Sequence, residues 1–183
     1  MKTLFGLIAT LSMVVAALVT ANAQQTTNQP QQRHEQQRDK KHHDEVNQRG
    51  DHAMGFSHAK TTHHFRLKPD GGFIEVSAND PQDTASRDQI RQHLKHIARK
   101  FAAGDFTAPM FIHAQTPPGV PVMKRLKAEI EYQLEELEGG ARVRVSTRNS
   151  EAIKAIHEFL RFQIKDHQTG DSGEIQNQGT GVG

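Results

Sequence analysis

Two stretches of this chain restrict its fold more than any other feature, because each pairs a hairpin pattern with a helical one. Thr62-His63-His64-Phe65-Arg66-Leu67-Lys68 alternates as a half-buried strand does, with Phe65 and Leu67 on one face. Pro69-Asp70-Gly71-Gly72 is a hairpin turn, since its glycines accept the positive φ that tight turns need. The return strand over 73–78 points Ile74, Val76 and Ala78 inward. Ile90, Leu94, Ile97, Ala98 and Phe101 then recur at helical spacing, behind an Asp83 or Thr84 cap and ahead of a stop at Gly104.

The second half repeats the order. Residues 129–134 alternate, Gly139-Gly140 turns the chain, and 141–145 alternate again. Asn149 or Ser150 caps a helix whose stripe is Ile153, Ile156, Leu160 and Ile164. The expectation is an α+β domain of two ββα units, 61–104 and 127–168, forming a four-stranded antiparallel sheet with two helices on one face. The matching Gly-Gly turns point to an internal duplication, with convergent hairpin chemistry as the alternative. Between the units, 105–126 reads as a loop, held down by Phe106, Met110, Phe111 and Ile112 and containing at most a short strand at 110–113.

What precedes the domain sets an expected address. A basic start at Met1-Lys2-Thr3, an apolar run over 4–19 and the small-x-small Ala21-Asn22-Ala23 describe a signal peptide over 1–23, cut after Ala23. The run falls short of the roughly 20 residues a spanning helix needs, so the mature chain is expected to be periplasmic or secreted, soluble and without a membrane span. Residues 24–50 are Gln-rich with almost nothing apolar to offset the entropy of ordering, and read as a disordered leader. The domain is then expected over 51–171, with 172–183 as a flexible tail.

Composition removes several function classes. The chain has no cysteine, which rules out disulfides, thiolate metal sites and cysteine nucleophiles. Net charge is +2 with the signs interspersed, and one Tyr with no Trp offers no stacking platform, so nucleic acid is not an expected partner. No HExxH, GxSxG or glycine-rich phosphate loop occurs, and the reading leans away from an enzyme. Asp80, Asp83 and Asp88 gather at a helix start, where the dipole accounts for them.

Histidine is the unusual component, 12 in all. Its neutral imidazole is the commonest metal ligand, and its pKa lies near neutrality. Strand alternation turns His63 inward and His64 to the open face. His93 and His96 lie one helical turn apart, and His157 and His167 fall within or beside the last stripe, facing the sheet. His113 sits in the central loop near Met110 and Met123, and His52, Met54, His58, His63 and His64 form a further run. The expected ligand set is His63, His64, His113 and His157, supported by His93 and Met110, and such a set would suit Zn or Cu.

Taken together, the motifs MGF at 54–56, THHF at 62–65, DGG at 70–72, HLKHIA at 93–98, GDF at 104–106, PPGV at 117–120 and FLRFQIKDHQTGD at 159–171 resemble a family of small exported bacterial proteins. The resemblance covers roughly 51–171 and implies export, with no defined activity. Members of that family often carry the name aspartate carbamoyltransferase. Ser146-Thr147-Arg148-Asn149 is a partial echo of the Ser-Thr-Arg-Thr phosphate motif of that enzyme, without its final Thr, and the chain is about half the length two α/β domains would need. Transcarbamoylase activity is therefore not expected. The expected function is a binding module that engages a small ligand or a transition metal through histidines. The alternatives are a small metal-dependent hydrolase, or a structural or interaction protein, for which a homodimer would join through a face of Arg66, Lys68, Glu75, Glu129, Glu131, Arg142 and Arg144.

Overall fold

The computed structural model describes residues 14–177, with side chains from residue 32 onward. Residues 1–13 of the expected signal peptide and 178–183 of the expected tail lie outside the described residues. The chain divides into two compact units, 1–42 and 43–183. In the first, helix α1 (Val14–Met54) carries an unbroken run of exposed side chains over 32–42, as its polar sequence requires. In the second, the end of the same helix buries Val46 completely. Residues 43–50, ahead of the expected domain start at Asp51, thus belong to the second unit as part of helix α1. Among the described residues, no helix is long and apolar enough to cross a membrane.

Strands β1 (Thr61–Lys68) and β2 (Gly71–Ala78) form the first hairpin, followed by α2 (Thr84–Ala102). Strands β3 (Glu131–Leu137) and β4 (Gly140–Ser146) form the second, followed by α5 (Ser150–Asp166). The sheet order is β1-β2-β4-β3, antiparallel throughout. The fold is α+β, with two ββα units as the alternating pattern requires. Each main helix starts on an expected cap: the Asp83 carboxylate accepts from the Ser86 N–H, and the Asn149 oxygen from Glu151 and Ala152.

The helices are exchanged between the hairpins. The first-unit helix α2 packs chiefly over β4 and β3, whereas α5 packs over β1 and β2. Phe65, Leu67, Ile74 and Val76 from one hairpin and Ala141, Val143 and Val145 from the other thereby enter one core with Ile90, Leu94, Ile156 and Leu160. Neither unit can close its own apolar face.

Two differences from expectation concern connections. The loop over 105–126 contains two short helices, α3 (Thr107–His113) and α4 (Val120–Arg125), and 110–113 belongs to α3 instead of forming a strand. Pro109 and Pro121 sit in their opening turns, where a missing N–H is tolerated. The tail is also ordered as far as 177. Ile175 bridges Leu67 in parallel, and the Gln176 N–H donates to the Leu67 carbonyl at 2.9 Å, which covers the free edge of β1.

Several charges on the open face of the sheet pair within the chain. Arg142 reaches Glu135 at 2.6 Å and Glu75 at 3.8 Å, and Arg144 meets Asp70. Phe73 is flanked by both guanidinium groups, at 4.6 Å and 4.9 Å from its ring centre. Glu129, expected on this face, instead accepts from the Asn149 amide at 2.8 Å.

The centre of the sheet depends on glycine at equivalent places. A Cβ on Gly71 would lie 2.1 Å from the Val145 carbonyl oxygen, and one on Gly140 2.1 Å from that of Val76. Neither contact has a flexible side chain to yield. Gly140→Ala is expected to lower stability by about 2–3 kcal/mol, measured by urea denaturation, with Gly71→Ala at least as damaging because its φ is also positive.

Candidate functional site

The sequence places histidines on four different elements, and the fold gathers several of them where the end of α1, strand β1 and the C-terminus of α5 meet. His63 lies on the same side of β1 as Phe65 and Leu67, because side chains alternate along a strand. His167 is the residue on which α5 ends, one turn beyond Ile164 of its apolar stripe. The two imidazoles are parallel within 2° and 5.9 Å apart, centre to centre. Phe56 stacks over the other side of His63 at 6.4 Å and takes the edge of His93 at 5.6 Å. His167 in turn meets His113 edge-on at 5.0 Å.

Two adjoining cavities share Met54, His63 and His167 as walls. The inner one, about 70 Å³, is mostly apolar, with Ile74, Val76, Leu94 and Phe101 beside His93 and Gln163. The outer one, about 200 Å³, is lined by polar groups such as His43, Asn47, His58, Thr61 and Thr169. Three of the lining residues each carry a buried nitrogen with no hydrogen-bond partner among the described residues: His63 Nε2, His43 Nδ1 and Gln163 Nε2. Such groups are uncommon, since burying one unsatisfied costs on the order of 1–3 kcal/mol.

Burial also sets the charge of the site. His63 is pushed down to about 4, first by desolvation and then by the imidazoles of His93, His58 and His64, with Asp51 opposing. His93 falls to about 4 through burial and His96, and His167 to about 3 through burial, His113 and His63, against Asp166. All three are neutral at pH 7, each with one ring nitrogen as donor and the other as acceptor.

The remaining predicted residues are held elsewhere. His113, almost fully buried, sets Nδ1 against the Asp166 carboxylate and Nε2 2.9 Å from the Gln163 side-chain amide, so both ring nitrogens face a partner within the fold. His64 on the open face donates from Nδ1 to Asp171 at 2.9 Å; the same carboxylate accepts from the Phe65 N–H, tying the chain after α5 to β1. His157 is buried under α5 and donates from Nε2 to the Lys68 carbonyl at 2.8 Å. Met110 is half-buried on α3 and lines neither cavity. Of the predicted ligand set, only His63 and His93 line the inner cavity, and no group of three or more His, Asp or Glu side chains among the described residues is arranged to hold a metal ion. His167 was missing from the predicted set although its stripe position was visible; the signal was its helical register with Ile164.

A larger depression, about 750 Å³, opens beside Asp70, Glu129, Glu131, Thr147, Arg148 and Asn149. It contains the Ser146-Thr147-Arg148-Asn149 stretch, of which Thr147 and Asn149 serve the fold. Thr147 Oγ1 donates to the Glu129 carbonyl at 2.6 Å, and Asn149 caps α5. Three carboxylates on its rim oppose a phosphate ligand. Compared with known proteins, the chain matches no family model, no curated protein and no solved structure.

The depressed imidazoles give stability a definite pH dependence. Unfolded histidine titrates near 6.5 while these three titrate near 3–4, so between those limits the unfolded chain binds more protons. Their contribution is complete above pH 6.5 and is lost as pH falls toward 4. The low-lying carboxylates of Asp70 and Asp171 lose theirs only below about 4. Thermal melts from pH 7.5 to 4.5 should show Tm falling steadily, and His167→Phe should remove about one proton from the uptake on unfolding. Asp166→Ala, which strips His113 of its acceptor, should cost about 1–3 kcal/mol in urea melts at neutral pH.

Proposed function

We propose that this protein is an exported binding module, periplasmic or secreted, that holds a small ligand in the cavities around His63 and His167. The single observation that carries the reading is the unpartnered His63 Nε2, buried in a wall common to both cavities. A protein interior normally satisfies such an atom, and a small molecule with a complementary group would do so. Neutral imidazoles beside aliphatic walls suit recognition by hydrogen bonding and shape. Metal capture through a three-histidine set is the weaker form of the proposal, since His64, His113 and His157 each spend a ring nitrogen on an internal partner. Those same bonds favour the second reading, a structural or interaction protein whose histidines hold the fold. The resemblance to small exported bacterial proteins is consistent with either and names no reaction.

Organic extraction and mass spectrometry of protein purified from the periplasm separates the two. A single small molecule at near-stoichiometric yield from wild type, absent from His63→Phe of equal or higher Tm, is the expected result. No recoverable molecule from either protein, together with a higher Tm for His63→Phe, would assign the histidines to structure alone.

A further inference from the structure

The cavities differ from most ligand sites in what they lack. Among the described residues, neither is lined by an Asp, Glu, Lys or Arg. The nearby carboxylates are already engaged. Asp51 accepts from the His58 backbone N–H at 2.7 Å and from its Nδ1 at 2.9 Å, and Asp166 accepts from His113. A charged ligand would therefore lose its hydration and gain no counter-charge, which is among the costliest arrangements a protein interior can hold. Hydrogen-bonding groups without a fixed charge are present instead: His63 and His43 in the outer cavity, the Gln163 amide in the inner.

Polarity is also graded along the site. Polar groups such as Asn47, Thr61 and Thr169 line the outer cavity, whereas aliphatic and aromatic side chains line most of the inner one. The two meet at Met54, whose unbranched thioether adapts readily to a neighbouring shape. A cavity of about 150 Å³ accepts benzene, so the outer space of about 200 Å³ admits a single ring and the inner one of about 70 Å³ only a short apolar part of the ligand.

Resting on the binding-module reading, we infer that the ligand is an uncharged amphiphile of single-ring size, its hydrogen-bonding group against His63 and His43 and its apolar part directed past Met54 toward Leu94 and Phe101. Selection against charge is the distinguishing property, and it originates in the wall composition. Anions and cations of the same shape are rejected alike.

Titration of the full mature chain at about pH 7.5, followed through the histidine Cε1–H and glutamine side-chain NMR signals, tests this with matched probes. Phenol and benzamide are the neutral pair; benzoate and benzylammonium are their charged counterparts. The expected result is perturbation of His63, His167 and Gln163 by the neutral pair, with affinity at least about tenfold above that of either ion. His63→Phe should abolish the perturbation at His167 and Gln163, while Glu151→Gln, far from the cavities on α5, leaves it unchanged. Ions that bind as tightly as their neutral counterparts would overturn the inference while leaving a small-ligand site in place. No perturbation by any of the four would overturn it as well, and the extraction experiment then decides separately whether the cavities hold any small molecule.

Discussion

The pairing of β2 with β4 is the contact on which the rest of the domain depends. Both strands begin at a glycine whose missing Cβ lets the partner strand's carbonyl approach, at Val145 in one case and Val76 in the other. Bringing the two hairpins edge to edge creates a single apolar face, and the crossed helices then make each unit complete the other. Hydrophobic burial is cooperative here for a geometric reason: α2 covers strands it did not follow, and α5 does the same.

That arrangement also explains why a site forms where it does. Strand β1 is flanked on its free edge by Asp171 and the short segment around Ile175, and α5 ends above it at His167. The end of α1 supplies Val46, Gly50 and Met54 to the same region. Cover assembled from three separate segments leaves space that a continuous helix would fill. Asp171 fixes one of those segments by accepting from both His64 and the Phe65 backbone.

The histidines consequently fall into two groups with different chemistry. His64, His113 and His157 donate to carboxylates or a carbonyl and act as hydrogen-bonded struts. His63, His93 and His167 are desolvated, depressed in pKa and neutral, and at least one nitrogen among them is unsatisfied. The proposed binding function draws on the perturbed imidazoles grouped around the cavities, whereas the paired ones hold the fold.

Most of the scaffold was legible from residue order. Alternation at Phe65, Leu67, Val143 and Val145 gave the strands, Asp83 and Asn149 gave the helix starts, and the glycine pairs gave the turns, because these signals act over a few residues. The helices α3 and α4 were not legible, since short proline-containing segments owe their helicity to what Ile112, Val120 and Met123 pack against. Nor was the end of α1, where a single Val46 in a polar run becomes a core residue only once the cavity wall exists. For the site, the sequence by itself determined that histidines were abundant, that cysteine was absent and that His63 turns inward. Only the tertiary structure decided that His63 faces His167 while His113 faces Asp166. Strand and helix periodicity fix the side of an element on which a residue lies, but its partner there, and hence its proton, comes from contacts remote in sequence, 53 residues apart for His113 with Asp166 and about twice that for His63 with His167.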